Sequence, residues 1–316
     1  MASAPETEIR VGTAGWTDPT LLKAGWYPPG ANTAEERLRF YASRFPIVEV
    51  DATYYAPPRE QQTGLWVDRT PDEFVFNIKA FSLLTGHPTM TKALWPDLRE
   101  QLDEEHQGKA RVYASNLPPD AVDEAWRRFA DALLPLDSAG KLGAVLFQYP
   151  EWFAPRRSNR EEIARLRERL PGYQVCVEFR NKTWLDTPED RDRTLGLLRE
   201  HELPLVNLDM PQGFRSSIPP LDEVTSPDLA VVRFHGRDRE AWTKKTVQER
   251  FRYLYSVDEL REWVPRVGSM AERAGRVHVL MNNCYRDQAV TNAGQLAALL
   301  ADEDPEAAPE PSLPGV

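Results

Sequence analysis

The sequence predicts an α/β fold, a single (β/α)8 TIM-type barrel, and three observations point to it. Eight short apolar stretches with strand character recur along the chain, helical patterns separate most of them, and 316 residues suit one such barrel without a second domain. The stretches are IRVGTAGW from residue 9, IVEVDATYY from 47, FVFNIKAF from 74, LGAVLFQYP from 142, VCVEFRNKTW from 175, LPLVNLDM from 203, LAVVRFHGR from 229 and VHVLMNN from 277. Each is rich in β-branched or aromatic residues and is bounded by Gly, Pro or polar residues. TAEERLRFYASRF, DAVDEAWRRFADALL, REEIARLRERL, PEDRDRTLGLLREH, SVDELREWVPRVGSMAERA and TNAGQLAALLAD carry helical apolar spacing. Asp186 to Pro188 and Ser256 to Glu259 supply the chemistry of helix starts.

The third β/α unit is over-long. About sixty residues separate Phe81 from Leu142, of which 120–134 reads as a helix, so 82–119 is expected to form a lid or side layer. Pro211 to Pro227, rich in Pro and Ser, is a second long connection. The barrel domain is thus expected over 9–301, with 1–8 and the acidic, Pro-rich 302–316 disordered.

Composition narrows the class of protein. Hydrophobic content of 41% with 28% charged residues is that of an ordinary soluble chain, and no apolar run approaches a membrane span. The start MASAPETEIR has neither a basic nor an apolar leader region, and Cys176 and Cys284 have no zinc-type spacing, so a cytoplasmic protein without a disulfide framework is expected. The net charge of -10 is concentrated at the ends: Glu6, Glu8, Asp302, Glu303, Asp304, Glu306 and Glu310 have no Lys or Arg among them. The body is therefore near neutral, which disfavours general nucleic-acid binding without excluding one basic patch.

In a barrel of this type, the carboxyl ends of the strands and the loops after them form the active face. Reading each strand at period two gives Thr13; Glu49, Asp51 and Thr53; Asn77 and Lys79; Gln148; Glu178 and Arg180; Asn207 and Asp209; Arg233 and His235; and Asn282 or Asn283. These polar residues are expected on one face and near one end, where an interior charge costs several kcal/mol unless it is paired. Opposite charges adjoin in this reading: Asp51 neighbours Lys79, and Asp209 lies between Arg180 and the pair Arg233 and His235. Pairing of this kind is what a structural network needs, and it is also what shifts pKa values and aims donors at an anion. Tyr54 and Trp184, at strand ends, offer flat rings for stacking, and His87 in TGHP is within reach from the long third loop.

GTAGW, VEVDATYYAPP, FVFNIKAF followed by TGH, LGAVLFQYP, VEFRNKTW, VVRFHGR and LMNNCYRDQAVTNAGQL occur in order over about residues 9 to 300. In these blocks the chain resembles the YecE-like proteins, the family called domain of unknown function 72. The resemblance implies a TIM-type barrel, in agreement with the strand count, and implies no established reaction.

The leading functional expectation is an enzyme using acid/base chemistry on a small polar substrate bearing hydroxyl or phosphate groups. Glu178, Asp209 and His235 are the catalytic candidates. Asp51, Tyr54, Lys79, His87, Gln148, Arg180, Trp184, Arg233, Asn282 and Asn283 are the substrate-binding candidates. Hydrolase, lyase and isomerase chemistry are not separated by these residues, and no cofactor is expected. A metal-dependent phosphodiesterase acting on nucleic acid, with a divalent metal on the scattered carboxylates, is one alternative. A non-catalytic ligand-binding or scaffold protein is the other. The expected partner is a small polar molecule or anion rather than nucleic acid or membrane, and no oligomeric state follows from the residues.

Overall fold

A computed structural model of the chain describes residues 7–244 and 246–306. The disorder expected at the ends falls largely on 1–6 and 307–316, outside the described residues, and Glu8 is already the first residue of a strand. The strands are β1 (Glu8–Ala14), β2 (Ile47–Val50), β3 (Val75–Lys79), β4 (Thr89–Met90), β5 (Arg111–Val112), β6 (Leu142–Gln148), β7 (Val175–Glu178), β8 (Val206–Asp209), β9 (Ala230–Phe234) and β10 (Arg276–Met281). Among the described residues, eight form one sheet in the order β7-β6-β3-β2-β1-β10-β9-β8, while β4 and β5 pair separately and antiparallel. The eight are the stretches read from the sequence, and helices lie between them. The fold is of the α/β class, a TIM-type (β/α)8 barrel with an insertion after β3.

The chain divides into two compact units, one continuous over 49–203 and one split between the described residues of 1–48 and 204–316. In the continuous unit, rings fix which face of each strand meets the helices. Trp66 of the helix Glu60–Asp68 stacks on Phe76, Trp126 of the helix Pro119–Asp131 stacks on Phe147, and Trp184 stacks on Phe179 at 4.4 Å between centroids. Residues on the other parity therefore share the opposite face: Asn77 and Lys79, Gln148, Glu178 and Arg180. The register agrees, with Lys79 level with Leu146 and Gln148 level with Glu178.

The insertion opens with the 3-10 turn Ser82–Thr85, stopped by Gly86 at φ 71°. It continues through the β4–β5 hairpin and the short helices Pro96–Arg99 and Glu104–Gln107, burying Leu94, Leu98, Leu102, Val112 and Leu117. Those side chains give the segment an apolar interior of its own. The helix Glu60–Asp68 was not legible in advance: Gln61, Gln62 and Gly64 dilute its apolar spacing, and Arg59 gives it no side-chain cap.

In the split unit, caps behave as their residue types dictate. Thr33 and Glu36 form a reciprocal capping box on the helix Ala34–Ala42, and Ser256 and Glu259 form another on Val257–Arg261. A start was also expected at Asp186 to Pro188 in the continuous unit. There Thr187 is the cap, its hydroxyl accepting from Asp190 N at 3.1 Å ahead of the helix Pro188–Glu200.

The register of the split unit overturns part of the expected one-face pattern. Phe234 packs on Tyr255 and Trp263, so it lies on the helix side of β9, and Asp209 is level with Phe234. Asn207 and Asp209 therefore face the helices, and Leu208 shares the face of Arg233. Asn207 confirms the direction, its amide nitrogen lying 3.5 Å from Met270 Sδ in the helix Val264–Ala271. Thr13 likewise bonds Tyr41 of the helix Ala34–Ala42. No helix of the described residues is long and apolar enough to cross a membrane.

Candidate functional site

Each unit gathers its own polar residues, beginning with the continuous one. β2 ends in the 3-10 turn Asp51–Tyr54, which aims Asp51 and Tyr54 beside the end of β3. Thr53 fixes the turn: its hydroxyl oxygen lies 2.7 Å from Val50 O and 2.6 Å from Lys79 O. Lys79 Nζ is then 3.2 Å from Asp51 Oδ1 and 5.1 Å from the centroid of the Tyr54 ring. The expected Asp51–Lys79 pair is present.

Behind Gly86, His87 turns back onto this group. Its ring meets Tyr54 edge to face at 5.2 Å and Trp152 at 5.8 Å, and Thr85 Oγ1 lies 2.8 Å from Nδ1. Among the described residues Nε2 makes no hydrogen bond. Burial pushes the imidazole pKa down to about 4, and the charges of Lys79 and then Arg180 add to the fall. His87 is thus a neutral ring within the field of two cations. Burial likewise raises the Tyr54 phenol, against which Arg111 of β5 acts, so the insertion brings a third cation near these rings. Glu178 is fully buried, and Arg180 Nε donates to its Oε1 at 2.5 Å. Gln148 stands level with it on the adjoining strand.

Trp184 corrects an expectation. It is fully buried between Phe179 and Phe153, donates from Nε1 to Phe153 O at 2.6 Å, and lies under the Arg160 guanidinium. With its faces occupied it is a packing ring, and Trp152 is the exposed tryptophan of the region. Trp152 and Arg111 were missed. The signal available for Trp152 was an aromatic residue in the loop four positions past the end of β6.

The split unit holds the others. His235 is buried, its Nδ1 2.8 Å from Asn282 Nδ2 and its ring near Trp242 and Phe251. Arg233 is buried on the same strand face, two residues earlier. Asn283 turns away, donating to Tyr253 O and Asn292 Oδ1 at 2.8 Å each. Asp209 was expected beside Arg233 and His235. Instead its carboxylate receives Arg237 through Nε and Nη2, Tyr255 Oη at 2.8 Å and Trp263 Nε1 at 2.7 Å. It is the buried anchor of the loop that follows β9. No group of three or more His, Cys, Asp or Glu side chains placed to hold a metal ion occurs among the described residues.

Two buried histidines predict acid lability. His278 of β10 is pushed down to about 3 by burial first, then by Arg276 and Arg10. Both His87 and His278 have folded pKa values below the ordinary 6.5, so the unfolded chain takes up protons that the folded one refuses. Their stabilising contribution is complete above pH ~6.5 and is lost as pH falls toward the folded values, at up to ~3 kcal/mol for His87. Urea midpoints should fall between pH 6.5 and 4, and less steeply in His87→Gln; an unchanged slope in that variant would remove His87 from the account.

Comparison with known proteins gives consistent results. The family model described as "Protein of unknown function DUF72" matches residues 10–314. The UPF0759 protein YunF of Bacillus subtilis (strain 168) is 29% identical over 297 residues, covering 92% of this chain and 94% of its own. A DUF72 family protein of Enterococcus faecalis V583 superimposes with a TM-score of 0.74 at 26% identity, over 93% of this chain and 95% of that one. Another, from Thermotoga maritima MSB8, does so with a TM-score of 0.72 at 29% identity, over 93% and 99%.

Proposed function

The chain belongs to the DUF72 family, and we propose that it is an enzyme applying acid/base chemistry to a small polar anion, hydroxylated or phosphorylated. The observation that carries this reading is His87, packed edge to face on the Tyr54 ring against which Lys79 also lies, and held neutral by burial and by the charges of Lys79 and Arg180. An anion arriving at Nε2 is attracted by both cations and favours the imidazolium, so binding and protonation reinforce each other. Tyr54, Asp51 and Gln148 border the same strand ends and supply donors or acceptors to hydroxyl groups. Glu178 is the proposed acid/base group, with Arg180 orienting it and compensating its charge. Asp209, saturated by Arg237, Tyr255 and Trp263, is given a structural role instead.

Sulfate, dianionic throughout the range, is the probe for the anion site. Calorimetry should show tighter binding at pH 5 than at pH 7 with proton uptake, and Lys79→Met should weaken it by about tenfold or more. Equal affinity at the two pH values without proton uptake would remove His87 from the site. A panel of phosphorylated and glycosidic compounds followed by NMR tests the chemistry. Glu178→Gln should lower turnover of any converted member by ~10²-fold or more while retaining sulfate binding. Full turnover in that variant would exclude Glu178 as the acid/base group.

A further inference from the structure

We propose that the ring row Tyr55–Tyr54–His87–Trp152 is a stacking platform, and that the site takes monophosphates carried on a flat-faced ring rather than small free anions. The inference rests on the anion-binding reading above and adds to it the class of molecule that bears the anion.

The row is continuous. Tyr55 meets Tyr54 at 5.1 Å, Tyr54 meets His87 at 5.2 Å, and His87 meets Trp152 at 5.8 Å, each contact edge to face. Edge-to-face packing lets a ring rest on its neighbour without covering both of its own faces. The inner pair is the more enclosed, whereas Tyr55 and Trp152 at the ends are 57% and 51% exposed. Of the other large exposed apolar side chains, Leu22, Leu65, Leu134 and Leu254 are aliphatic, and the aromatic Tyr113 stands outside this row.

Trp152 is exposed but its backbone is held. Ala154 N donates to Trp152 O at 3.0 Å, Phe153 N to Pro150 O at 2.9 Å, and Asn181 Nδ2 to Glu151 O at 2.7 Å. Tyr55 is held similarly, its N donating to Ala52 O at the close of the 3-10 turn. Rings presented on fixed backbone lose little entropy when a ligand stacks on them.

Charge sets the rest of the ligand. The Lys79 ammonium lies against Tyr54, the Arg180 charge is felt at His87, and Arg111 is felt at Tyr54. Cations alongside the inner rings and solvent-exposed rings at the ends fit a molecule with its ring on Trp152 or Tyr55 and its phosphate directed at Lys79 and Arg180. Sugar and nucleobase rings share this chemistry, and the two probes below separate them.

Binding of inorganic phosphate, glucose 6-phosphate and AMP to the full-length protein is measured by calorimetry. At least one ring-bearing phosphate should bind about tenfold or more tighter than inorganic phosphate, the gain expected of one stacked ring. Trp152→Ala or Tyr55→Ala should abolish that gain and leave inorganic phosphate unchanged, and Trp152→Phe should restore part of it. A preference for glucose 6-phosphate identifies a sugar ring, and a preference for AMP a base. Inorganic phosphate binding with no gain from either ring, or a gain that survives both alanine variants, overturns the platform and leaves the anion site standing. Failure of all three compounds to bind overturns both.

Discussion

Asp209→Ala is expected to lower folding stability by about 3–5 kcal/mol, the range for removing one partner of a buried, hydrogen-bonded charge pair. The carboxylate is 3% exposed and receives Arg237, Tyr255 and Trp263, so its loss leaves three donor side chains without their acceptor. Tyr255 in turn accepts from Gly236 N at 2.8 Å, which extends the damage to the turn after β9. Asp209→Asn should cost less, because the side-chain shape is preserved and one oxygen still accepts. Arg237→Ala should cost less again, since that guanidinium is partly solvated and the two ring donors remain to Asp209. Urea denaturation of the three variants checks the order. A loss under ~1 kcal/mol in Asp209→Ala would show that water replaces the network without penalty.

Gly12→Ala is expected to be still more severe. A Cβ at this position of β1 would stand 2.0 Å from Ile47 O and 2.9 Å from Ile47 C. The obstacle is backbone on the strand that follows, so no rotamer change relieves it, and the cost should exceed the ~1–3 kcal/mol usual for overpacking with side chains. Gly64→Ala, in a helix with open space around that position, is the control and should leave the protein at least as stable. Thermal melts and soluble yield of the two variants decide the matter. A Gly12→Ala protein that melts within a few degrees of the parent would mean that β1 and β2 separate easily.

The strands were legible because each is a short apolar run closed by turn residues. Which way their side chains face was legible only where the two parities differ. In β7, Val175 and Val177 alternate with Cys176 and Glu178, and Phe179 with Arg180, so the polar face is unambiguous. In LPLVNLDM both parities carry apolar residues, because a strand covered on both faces need not alternate. Asn207 and Asp209 were therefore assigned to the wrong face. Asp51 and Lys79 lie at the ends of consecutive β-strands of the sheet, and their pairing followed from topology alone. The contact of His87 with Trp152 and the influence of the Arg111 charge on Tyr54 run through the insertion and a loop, and chain spacing carries no information about such distances. Trp184 was misread for a related reason: a ring at a strand end is equally able to turn outward to a ligand or inward to Phe179.

The pairing of β1 with β10, Glu8 level with Arg276 through Thr13 level with Met281, also has a temporal side. During synthesis all of 49–203 leaves the ribosome before the last strand of the split unit has been made, and domains form as units in the order in which they emerge. One edge of β1 consequently waits for Arg276–Met281, an open hydrogen-bonding edge while all of 49–203 is being made. The nascent chain thus carries an unpaired strand edge until Arg276–Met281 has emerged, and the docking of that strand ends the exposure.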